Sequence, residues 1–326
     1  MVLFMEPLVT VVGGYGVGMT VRTSRVPERG ETIGDAVFSA GPGGKASNQA
    51  VGVARLGVRA ALVSAVGDDD LGESARPFWD EEAVDHTYTA TVYGAATMVG
   101  TILVEPDGEN RIVVSPGALG HLGAQHVRAA AQTIAASDLV LISQEVPEDV
   151  VVEALRVARE NGVRTQLNPA PGRALPPGTE HLVDVLTPNA SEARLLAGLP
   201  PAEESAAADG ETDQREADHL LDALRQVYPA AVLVLTRGRH GAVVDAGTST
   251  EGGTPRFAVP APTGVTPVDT TGAGDAFNAA LAVALVQGRP LRDAVRFATA
   301  AGAFAVTRHE VIPGLPRPDD LAPYLS

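Results

Sequence analysis

The segment Asp269–Asn278, DTTGAGDAFN, contains the residue types that phosphoryl transfer needs. After Asp275, apolar residues recur with helical spacing up to Leu285, which predicts a helix that ends before Gly288. Gly272–Gly274 then lie at the helix N-terminus, where backbone N–H groups and the helix dipole favour an anion. The Asp275 carboxylate could accept a proton from an attacking hydroxyl. The plainer alternative is a glycine-rich helix cap with an Asp that complements the dipole.

Four more polar residues occupy positions where ligand groups are common. Lys45 and Asn48 lie where a glycine-rich loop enters a predicted helix, so they contact a ligand or cap the helix. Glu145 follows a predicted strand, and ligand groups in α/β sheets lie beyond the carboxyl ends of strands; a solvated loop residue is the alternative. Glu192 either has a chemical role or favours the start of a short helix at Ser191–Ala197.

Two glycine-rich segments resemble nucleotide-binding motifs but do not match them. Gly13–Gly18 follows a strand, yet Met19 stands where the last glycine of G-x-G-x-x-G would be. Gly43–Lys45 lacks the first glycine of a P-loop, and no Ser or Thr follows the lysine. The run Asp68–Asp70 is interpreted as a turn and helix N-cap, not as a metal cluster.

Short apolar runs alternate with longer helical patterns along the chain. The predicted strands are Leu8–Val12, Ala61–Val66, Leu139–Ile142, Arg164–Leu167, Val183–Leu186 and Ala231–Leu235. The predicted helices are Ala46–Leu56, Leu71–Glu82, Ala124–Ala136, Glu148–Asn161, Glu216–Val227, Asp275–Gln287 and Leu291–Thr307. This alternation predicts an α/β fold with a mainly parallel central sheet and helices on both faces.

Two pairs of extended segments interrupt the alternation and predict a small β-layer, which either extends the fold or forms a lid. The pairs are Met19–Val26 with Glu31–Ala40, and Thr97–Val104 with Arg111–Ser115. A turn at Glu105–Asn110 joins the second pair. Leu199–Asp218, rich in Pro, Ala and acidic residues, and Gly247–Arg256 are predicted to be surface loops.

The composition is that of a globular protein, with 45% hydrophobic and 20% charged residues among 326. At ~150 residues per domain this length allows about two domains or one large one. Cysteine is absent, which excludes disulfides and thiolate chemistry. A net charge of −16 disfavours nucleic acid and anionic membranes as partners. No apolar run approaches the ~20 residues of a membrane span, and Met1–Thr10 does not read as a signal peptide, so we expect a cytoplasmic protein.

Seven segments of the chain resemble motifs of the ribokinase-like (PfkB-type) carbohydrate kinases. The main ones are Pro42–Ala50 (PGGKASNQA), Thr187–Glu192 (TPNASE), Thr236–Gly241 (TRGRHG) and Asp269–Asp275 (DTTGAGD). Gly30–Thr32, Asn168–Pro171 and Ala305–Arg308 are similar to the family as well. The resemblance runs from about Leu8 to the C-terminus.

The resemblance implies one kinase domain over residues 1–326, with a β-lid formed by about 17–41 and 97–117 that also makes a homodimer contact. The implied reaction transfers the γ-phosphoryl group of ATP to the primary hydroxyl of a ribose-like sugar, with D-ribose as the reference substrate. Asp275 would be the catalytic base, and the anion hole would consist of Gly272, Ala273 and Gly274.

The family motifs also imply binding residues for each ligand. Sugar contacts would come from Gly16, Val17, Gly18, Gly44, Lys45, Ala46, Ser47, Asn48, Glu145 and Asp275. ATP would be bound by Asn189, Thr236, Arg237, Gly238, Arg239, His240, Gly241, Gly274 and Thr299. Glu192 would order Mg²⁺ through water, and a monovalent cation, K⁺ by expectation, would lie near Asp269, Thr271, Ala305, Arg308, Glu310 and Gly314.

One departure bears on specificity. Ribokinase-like sugar kinases carry Asn-x-Asp after the first strand, and the Asp binds two sugar hydroxyls, whereas this chain has Gly16-Val17-Gly18. The alternatives are therefore a kinase for another sugar, a polyol or a nucleoside. From a different class, the chain could be a non-catalytic regulator that binds sugar or nucleotide.

Overall fold

The computed structural model describes residues 6–106, 110–201, 210–247 and 256–325. Its strands are β1 (Leu8–Val12), β2 (Gly16–Arg22), β3 (Val37–Gly43), β4 (Arg59–Gly67), β5 (Val84–Val92), β6 (Met98–Val104), β7 (Asn110–Ser115), β8 (Leu139–Ser143), β9 (Arg164–Asn168), β10 (Val185–Leu186), β11 (Val232–Thr236), β12 (Ala242–Asp245) and β13 (Arg256–Val259). Its helices are α1 (Lys45–Arg55), α2 (Asp70–Glu81), α3 (Ala124–Ala129), α4 (Ala131–Ala135), α5 (Glu148–Glu160), α6 (Ala190–Leu196), α7 (Gly210–Val227), α8 (Ala273–Val286) and α9 (Leu291–Ala305).

The large sheet has the strand order β13-β12-β11-β10-β9-β8-β1-β4-β5. Pairing is parallel from β5 through β11 and antiparallel at β12 and β13. Strands β1 (LVTVV) and β8 (LVLIS) are buried at every residue, as continuous apolar runs in parallel sheets are when helices cover both faces. The predicted α/β class with a mainly parallel sheet is confirmed.

Helices cover the two faces of this sheet as two hydrophobic clusters. Val9 and Val11 of β1 contribute to one cluster, with α1, α2, α8 and α9. Val12 contributes to the other, with α3 to α7. Alternate residues of one strand therefore serve both layers. Among the helices in the described ranges, none is long and apolar enough to cross a lipid bilayer.

The second sheet has the order β3-β2-β6-β7 and corresponds to the predicted β-layer. Strand β2 pairs antiparallel with β3 and parallel with β6, and β7 returns antiparallel to β6. In this register Gly18 lies beside Gly41 on one neighbour and Gly100 on the other. We call these three the glycine row, and backbone without side chains forms the sheet there.

Several predicted boundaries were wrong. Residues 23–36 form no strand, because the side chains of Thr23 and Asp35 hydrogen-bond to each other within an irregular connection. The helix predicted over Ala124–Ala136 is divided at Ala130 into α3 and α4. Helix α7 starts at Gly210, so the loop predicted over Leu199–Asp218 is helical in its second half.

Three strands had no counterpart in the sequence predictions. Strand β5 (VDHTYTATV) alternates polar and apolar residues at the sheet edge. Strands β12 and β13 are short and add the antiparallel edge. Of the predicted loops and turns, residues 107–109, 202–209 and 248–255 lie outside the described residues. The predicted N-cap is confirmed, since Asp69 Oδ1 accepts a hydrogen bond from the Gly72 N–H (2.9 Å).

Candidate active site

A cavity of about 640 Å³ lies between the small sheet and the N-terminus of α8. The topology places it there because loops at the carboxyl ends of parallel strands meet at one edge of the sheet. Lys45, Asn48, Glu145 and Asp275 all line it, although they come from three distant parts of the chain. Three of the motifs singled out in the sequence are therefore one site.

Asp275 lies in the first turn of α8 and is 8% exposed. Its two carboxylate oxygens accept hydrogen bonds from α1: Oδ2 from Asn48 Nδ2 (2.8 Å) and Oδ1 from Gln49 Nε2 (3.0 Å). Burial raises the pKa of Asp275, while nearby Lys45 and the two amides favour the charged form. A carboxylate with a raised pKa, held by fixed donors, is suited to accept a proton from a hydroxyl.

Gln49 is a site residue that sequence reasoning missed. It stood inside the glycine-rich motif without an assigned role, and it is fully buried. The signal available in the sequence was its position next to Asn48 at the start of a helix, which puts both amides near the same partner. The structure also shows that Asn48 does not cap α1, because the N-cap is Gly44 and no side chain caps that end.

Glu145 follows β8 and faces the start of α1. Its Oε2 accepts the Lys45 backbone N–H (2.6 Å), and its Oε1 lies 4.0 Å from Lys45 Nζ. Burial raises the pKa of Glu145 to about 7, with Lys45 opposing and Asp275 adding to the rise. Burial also opposes the charge of Lys45, but Glu145, Asp275 and Glu192 outweigh it and raise the pKa of the ammonium. Lys45 is thus the shared counter-ion of three carboxylates.

The N-terminus of α8 is open for an anion. Gly272, its N-cap, has a left-handed φ of 80°, and a Cβ there would lie 2.6 Å from Val311 Cγ1. No side chain caps this end, and the space that a Gly274 Cβ would enter holds no atom within 4 Å. The Ala273 N–H donates to Thr270 O (3.3 Å), and the other N–H groups of this first turn, together with the helix dipole, favour an anion between Gly272 and Asp275.

The residues predicted for ATP lie outside the cavity lining: Asn189 and Thr236–Gly241 are at the ends of β10 and β11, whereas Gly274 is in α8 and Thr299 in α9. Asn189 and Glu192 form a capping box: Asn189 Oδ1 accepts from the Glu192 N–H, and Glu192 Oε2 from the Asn189 N–H (both 2.9 Å). The helix-start alternative for Glu192 thus holds in the structure, and burial raises the pKa of its carboxyl. The hydroxyl of Thr299 donates to Val295 O within α9 (2.8 Å).

The predicted nucleotide loop connects β11 to β12. The Thr236 N–H donates to Pro188 O (2.9 Å), and Thr236 forms an isolated parallel β-bridge with Asn189. A short 3₁₀ turn, Gly238–His240, follows, and Gly241 closes the loop with a φ of 80°. A Cβ on Gly241 would lie 2.2 Å from Val259 O, so only glycine fits. The loop thus stands beside Asn189.

The predicted monovalent-cation residues gather behind the anion hole. Asp269 Oδ1 accepts the Thr271 N–H (2.9 Å), and Oδ2 accepts the Glu310 N–H (3.1 Å). Burial opposes the charge of Asp269, but these hydrogen bonds and nearby Arg22 lower its pKa. Gly314 lies against the Ala305 carbonyl, where a Cβ would be 3.2 Å from the oxygen. Arg308, which follows α9, donates its N–H to the same carbonyl (3.1 Å).

Of the other residues predicted to contact the sugar, some line the cavity and some do not. Ala46 and Ser47 are fully buried and outside the cavity lining, and Ser47 Oγ accepts Trp79 Nε1–H (2.9 Å). Gly44 and Val17 do line the cavity. The lining also includes residues that sequence reasoning missed, since their positions depend on how the two sheets face each other: Thr20, Arg22, Ser39, His309.

The space beside Gly18 is open. A Cβ on Gly16 would lie 2.4 Å from Met98 Cε, whereas a Cβ on Gly18 would meet only Ile102 Cδ1 (3.9 Å) and Gly41 O (4.0 Å). Tyr15, which precedes this segment, does not fill the space, because it is buried and packs edge-on against Trp79 with ring centroids 4.8 Å apart. The missing side chain therefore leaves room in the cavity.

Comparison with known proteins agrees with this geometry. The model of the pfkB family carbohydrate kinases matches residues 16–318. This chain belongs to that family. It is 35% identical over 319 residues to a ribokinase of Bacillus subtilis, covering 98% of this chain and 99% of the relative. It is 31% identical over 322 residues to a ribokinase of Haemophilus influenzae, covering 99% of each.

A solved structure of Arabidopsis thaliana ribokinase, complexed with ribose and ATP, superimposes with a TM-score of 0.84 at 25% identity, covering 99% of each chain. The family and the site together establish this carbohydrate kinase as an ATP-dependent phosphotransferase that uses an alcohol group as acceptor.

We expect Asp275→Asn to lower turnover by at least ~10²-fold, because the variant loses the group that accepts the hydroxyl proton. The measurement is steady-state ADP production, with circular dichroism and ATP binding to show that the fold is retained. Asp293→Asn is the matched control, since Asp293 occupies the same first-turn position in α9 and is exposed. A folded Asp275→Asn variant with near-normal turnover would contradict the assignment.

We expect Glu145→Gln to stabilise the protein at pH 8 but not near pH 4.5. The pKa of Glu145 is raised in the fold, so the stability that its protonated form contributes is lost as pH rises through about 7. The gain at high pH is at most about 3 kcal/mol. Urea unfolding at both pH values measures it, with exposed Glu148→Gln as control. An equal effect at both pH values would contradict the burial of an ionisable carboxyl.

Proposed function

We propose that this carbohydrate kinase transfers the γ-phosphoryl group of ATP to the primary hydroxyl of a ribose-like sugar, with D-ribose as the reference acceptor. The observation that carries the proposal is Asp275, buried beside the open N-terminus of α8 and lining the same cavity as Asn48 and Glu145. Asp275 takes the hydroxyl proton as the oxygen attacks the γ-phosphorus. The N–H groups of Gly272–Gly274 stabilise the charge on the transferred group, and ADP leaves.

ATP would enter from the side of Asn189 and the loop Thr236–Gly241. Both follow neighbouring parallel strands, β10 and β11, so they lie together at the carboxyl edge of the large sheet. The family's kinases typically use Mg²⁺, and Glu192 is the residue here that would order it through water. Its carboxylate is partly exposed, and its Oε2 accepts the Asn189 N–H (2.9 Å), so its Oε1 could accept a hydrogen bond from a water molecule of the Mg²⁺ shell.

A monovalent cation would lie behind the anion hole. The donors there are a carboxylate and carbonyl oxygens, which hard cations prefer, and Asp269 is held in its charged form. Glu310 has a left-handed φ of 65°, which turns the loop back towards Asp269. A bound cation would supply positive charge close to Gly272 and fix the loop that packs against it.

The four-stranded sheet would act as a lid on the sugar side and as a homodimer surface. Its inner face lines the cavity, so closure of the sheet would exclude water from the transferred phosphoryl group. Phe38 and Val113 are 62% and 71% exposed on its two edge strands. A second copy of the chain would cover such apolar side chains. The cytoplasmic location stays a prediction.

The preferred acceptor would differ from D-ribose at the edge that faces Gly18. No side-chain carboxylate stands at position 18 to accept hydroxyl hydrogen bonds, and the glycine row leaves the adjoining inner face of the lid flat. Each lost charged hydrogen bond corresponds to roughly a 10- to 150-fold loss in affinity. An acceptor that lacks those hydroxyls, or that carries a bulkier group there, avoids this loss.

We therefore expect another acceptor to exceed D-ribose in kcat/KM across a panel of pentoses, hexoses, deoxy sugars, polyols and nucleosides. Gly18→Asp should shift the preference toward D-ribose, because the carboxylate enters open space and accepts its hydroxyls. Gly100→Ala is the matched control, since it fills the same row without an acceptor group. If D-ribose leads the panel with a submillimolar KM, this specificity proposal is wrong. If no acceptor yields ADP, the chain is a non-catalytic regulator.

We expect K⁺ to raise the rate relative to Na⁺ or a bulky organic cation at constant ionic strength. The physical reason is that a cation of fitting size stabilises the loop behind Gly272. Asp269→Asn should remove the response, because it takes away the charged oxygen of the site. Rates are measured as ADP production in matched chloride salts, and identical rates in all three would refute the cation site.

A further inference from the structure

Asn278 forms a buried polar junction below the anion hole. It lies on α8 one turn after Gly274 and is 2% exposed. Its side-chain Nδ2 donates to Gly274 O (2.8 Å), and its Oδ1 accepts from Thr187 Oγ1 (2.6 Å) and Gln166 Nε2 (3.0 Å). One side chain thus joins the first turn of α8 to strand β9 and to the residue that follows β10.

The far side of this junction leads to the predicted nucleotide-binding residues. Thr187 precedes Pro188, whose carbonyl accepts the Thr236 N–H (2.9 Å), and Asn189 comes next as the N-cap of α6. The route from the anion hole to the ATP side therefore runs Gly274, Asn278, Thr187, Pro188. Every side-chain link in it is a hydrogen bond inside the core.

This junction is not what stability alone would favour. Its neighbours on α8 are apolar, and Gln166 Oε1 is buried without a hydrogen-bond partner in the structure. Burying an unsatisfied amide oxygen costs stability, and apolar residues of similar shape avoid that cost. The polar arrangement instead fixes how three elements are oriented relative to one another. The Asn278 amide donates to the first turn of α8 and accepts from β9 and from the residue after β10.

Gly274 needs such a restraint. It has no side chain, and apart from its own helix nothing lies within 4 Å of its Cβ direction, so its peptide is restrained by hydrogen bonds and not by side-chain packing. Its carbonyl and the Asp275 N–H belong to the same peptide group. The Asn278 side chain therefore adds to the helical hydrogen bonds of α8 in fixing the direction of the Asp275 N–H, the next donor after Gly272–Gly274.

We propose that Asn278 is a positioning residue that aligns the anion hole with the ATP-binding loops through Thr187. This inference rests on the proposed function, since it assumes that ATP is bound beside Asn189 and Thr236. It predicts that breaking the junction on the Thr187 side misaligns ATP with the anion hole and leaves the sugar side, held by Asn48 and Glu145, unchanged.

The main test is Thr187→Val, which removes the hydroxyl donor while keeping the side-chain shape. We expect kcat to fall about fivefold or more and KM for ATP to rise, with KM for the acceptor unchanged. Thr165→Val is the matched control: its hydroxyl is also buried and donates to Leu182 O (2.7 Å), at the opposite end of β9. The control should lose stability without changing any kinetic constant.

A second variant, Asn278→Asp, tests whether position 278 has to donate a hydrogen bond to Gly274 O. A protonated carboxyl can donate to Gly274 O, whereas the ionised form sets a negative charge against that carbonyl and near the anion hole. The ratio of variant to wild-type kcat should therefore fall as pH rises. If Asn278→Asp does not fold, Thr187→Val and Thr165→Val decide the matter alone.

The proposal is overturned if Thr187→Val and Thr165→Val lower the melting temperature alike and both keep wild-type kcat and KM for ATP. It is also overturned if a folded Asn278→Asp variant has the wild-type pH profile. Failure of the proposed function has a different signature, because the wild-type protein would then produce no ADP with any acceptor in the panel.

Discussion

The structure depends on burying one carboxylate while keeping it able to carry a charge. Burying a charge is costly unless hydrogen bonds and an opposite charge compensate, and Asp275 receives both. Asn48 and Gln49 donate to its two oxygens from α1, and nearby Lys45 supplies an opposite charge that favours its ionised form. Helices α1 and α8 therefore have to pack together, and they do so in the same hydrophobic cluster as strand β1.

The glycines of the site are held in place in two different ways. Gly44 and Gly272 adopt left-handed conformations and are enclosed, since an added Cβ would collide with neighbouring atoms. Gly274 is open on its ligand side and is held instead by the amide of Asn278. Close approach to an anion and a fixed N–H direction are thereby obtained together, which electrostatic stabilisation of a transition state requires.

Chemistry and acceptor recognition lie on separate layers. The residues proposed to accept the proton and to bind the anion are on helices that pack on the large sheet, whose central strands β1 and β8 are buried at every residue. The small sheet provides the opposite wall, and its glycine row and exposed edge strands can change without disturbing the core. This separation explains how Gly16-Val17-Gly18 coexists with an intact catalytic segment.

The sequence by itself determined the α/β class, the helix that begins beside Asp275 and the chemistry of the glycine-rich turn, because local periodicity and residue type set these features. It also identified Asn48, which stands in a motif at the start of a predicted helix, and Glu145, which follows a predicted strand. Strands β12 and β13 were not predictable, because short edge strands exist only through their pairing partners. Only the tertiary structure decided that Gln49 holds the base, that Asn278 joins three elements, and that Gly18, Gly41 and Gly100 share one row. Each of these contacts joins residues far apart in the chain, and their register is set by packing that no local pattern encodes.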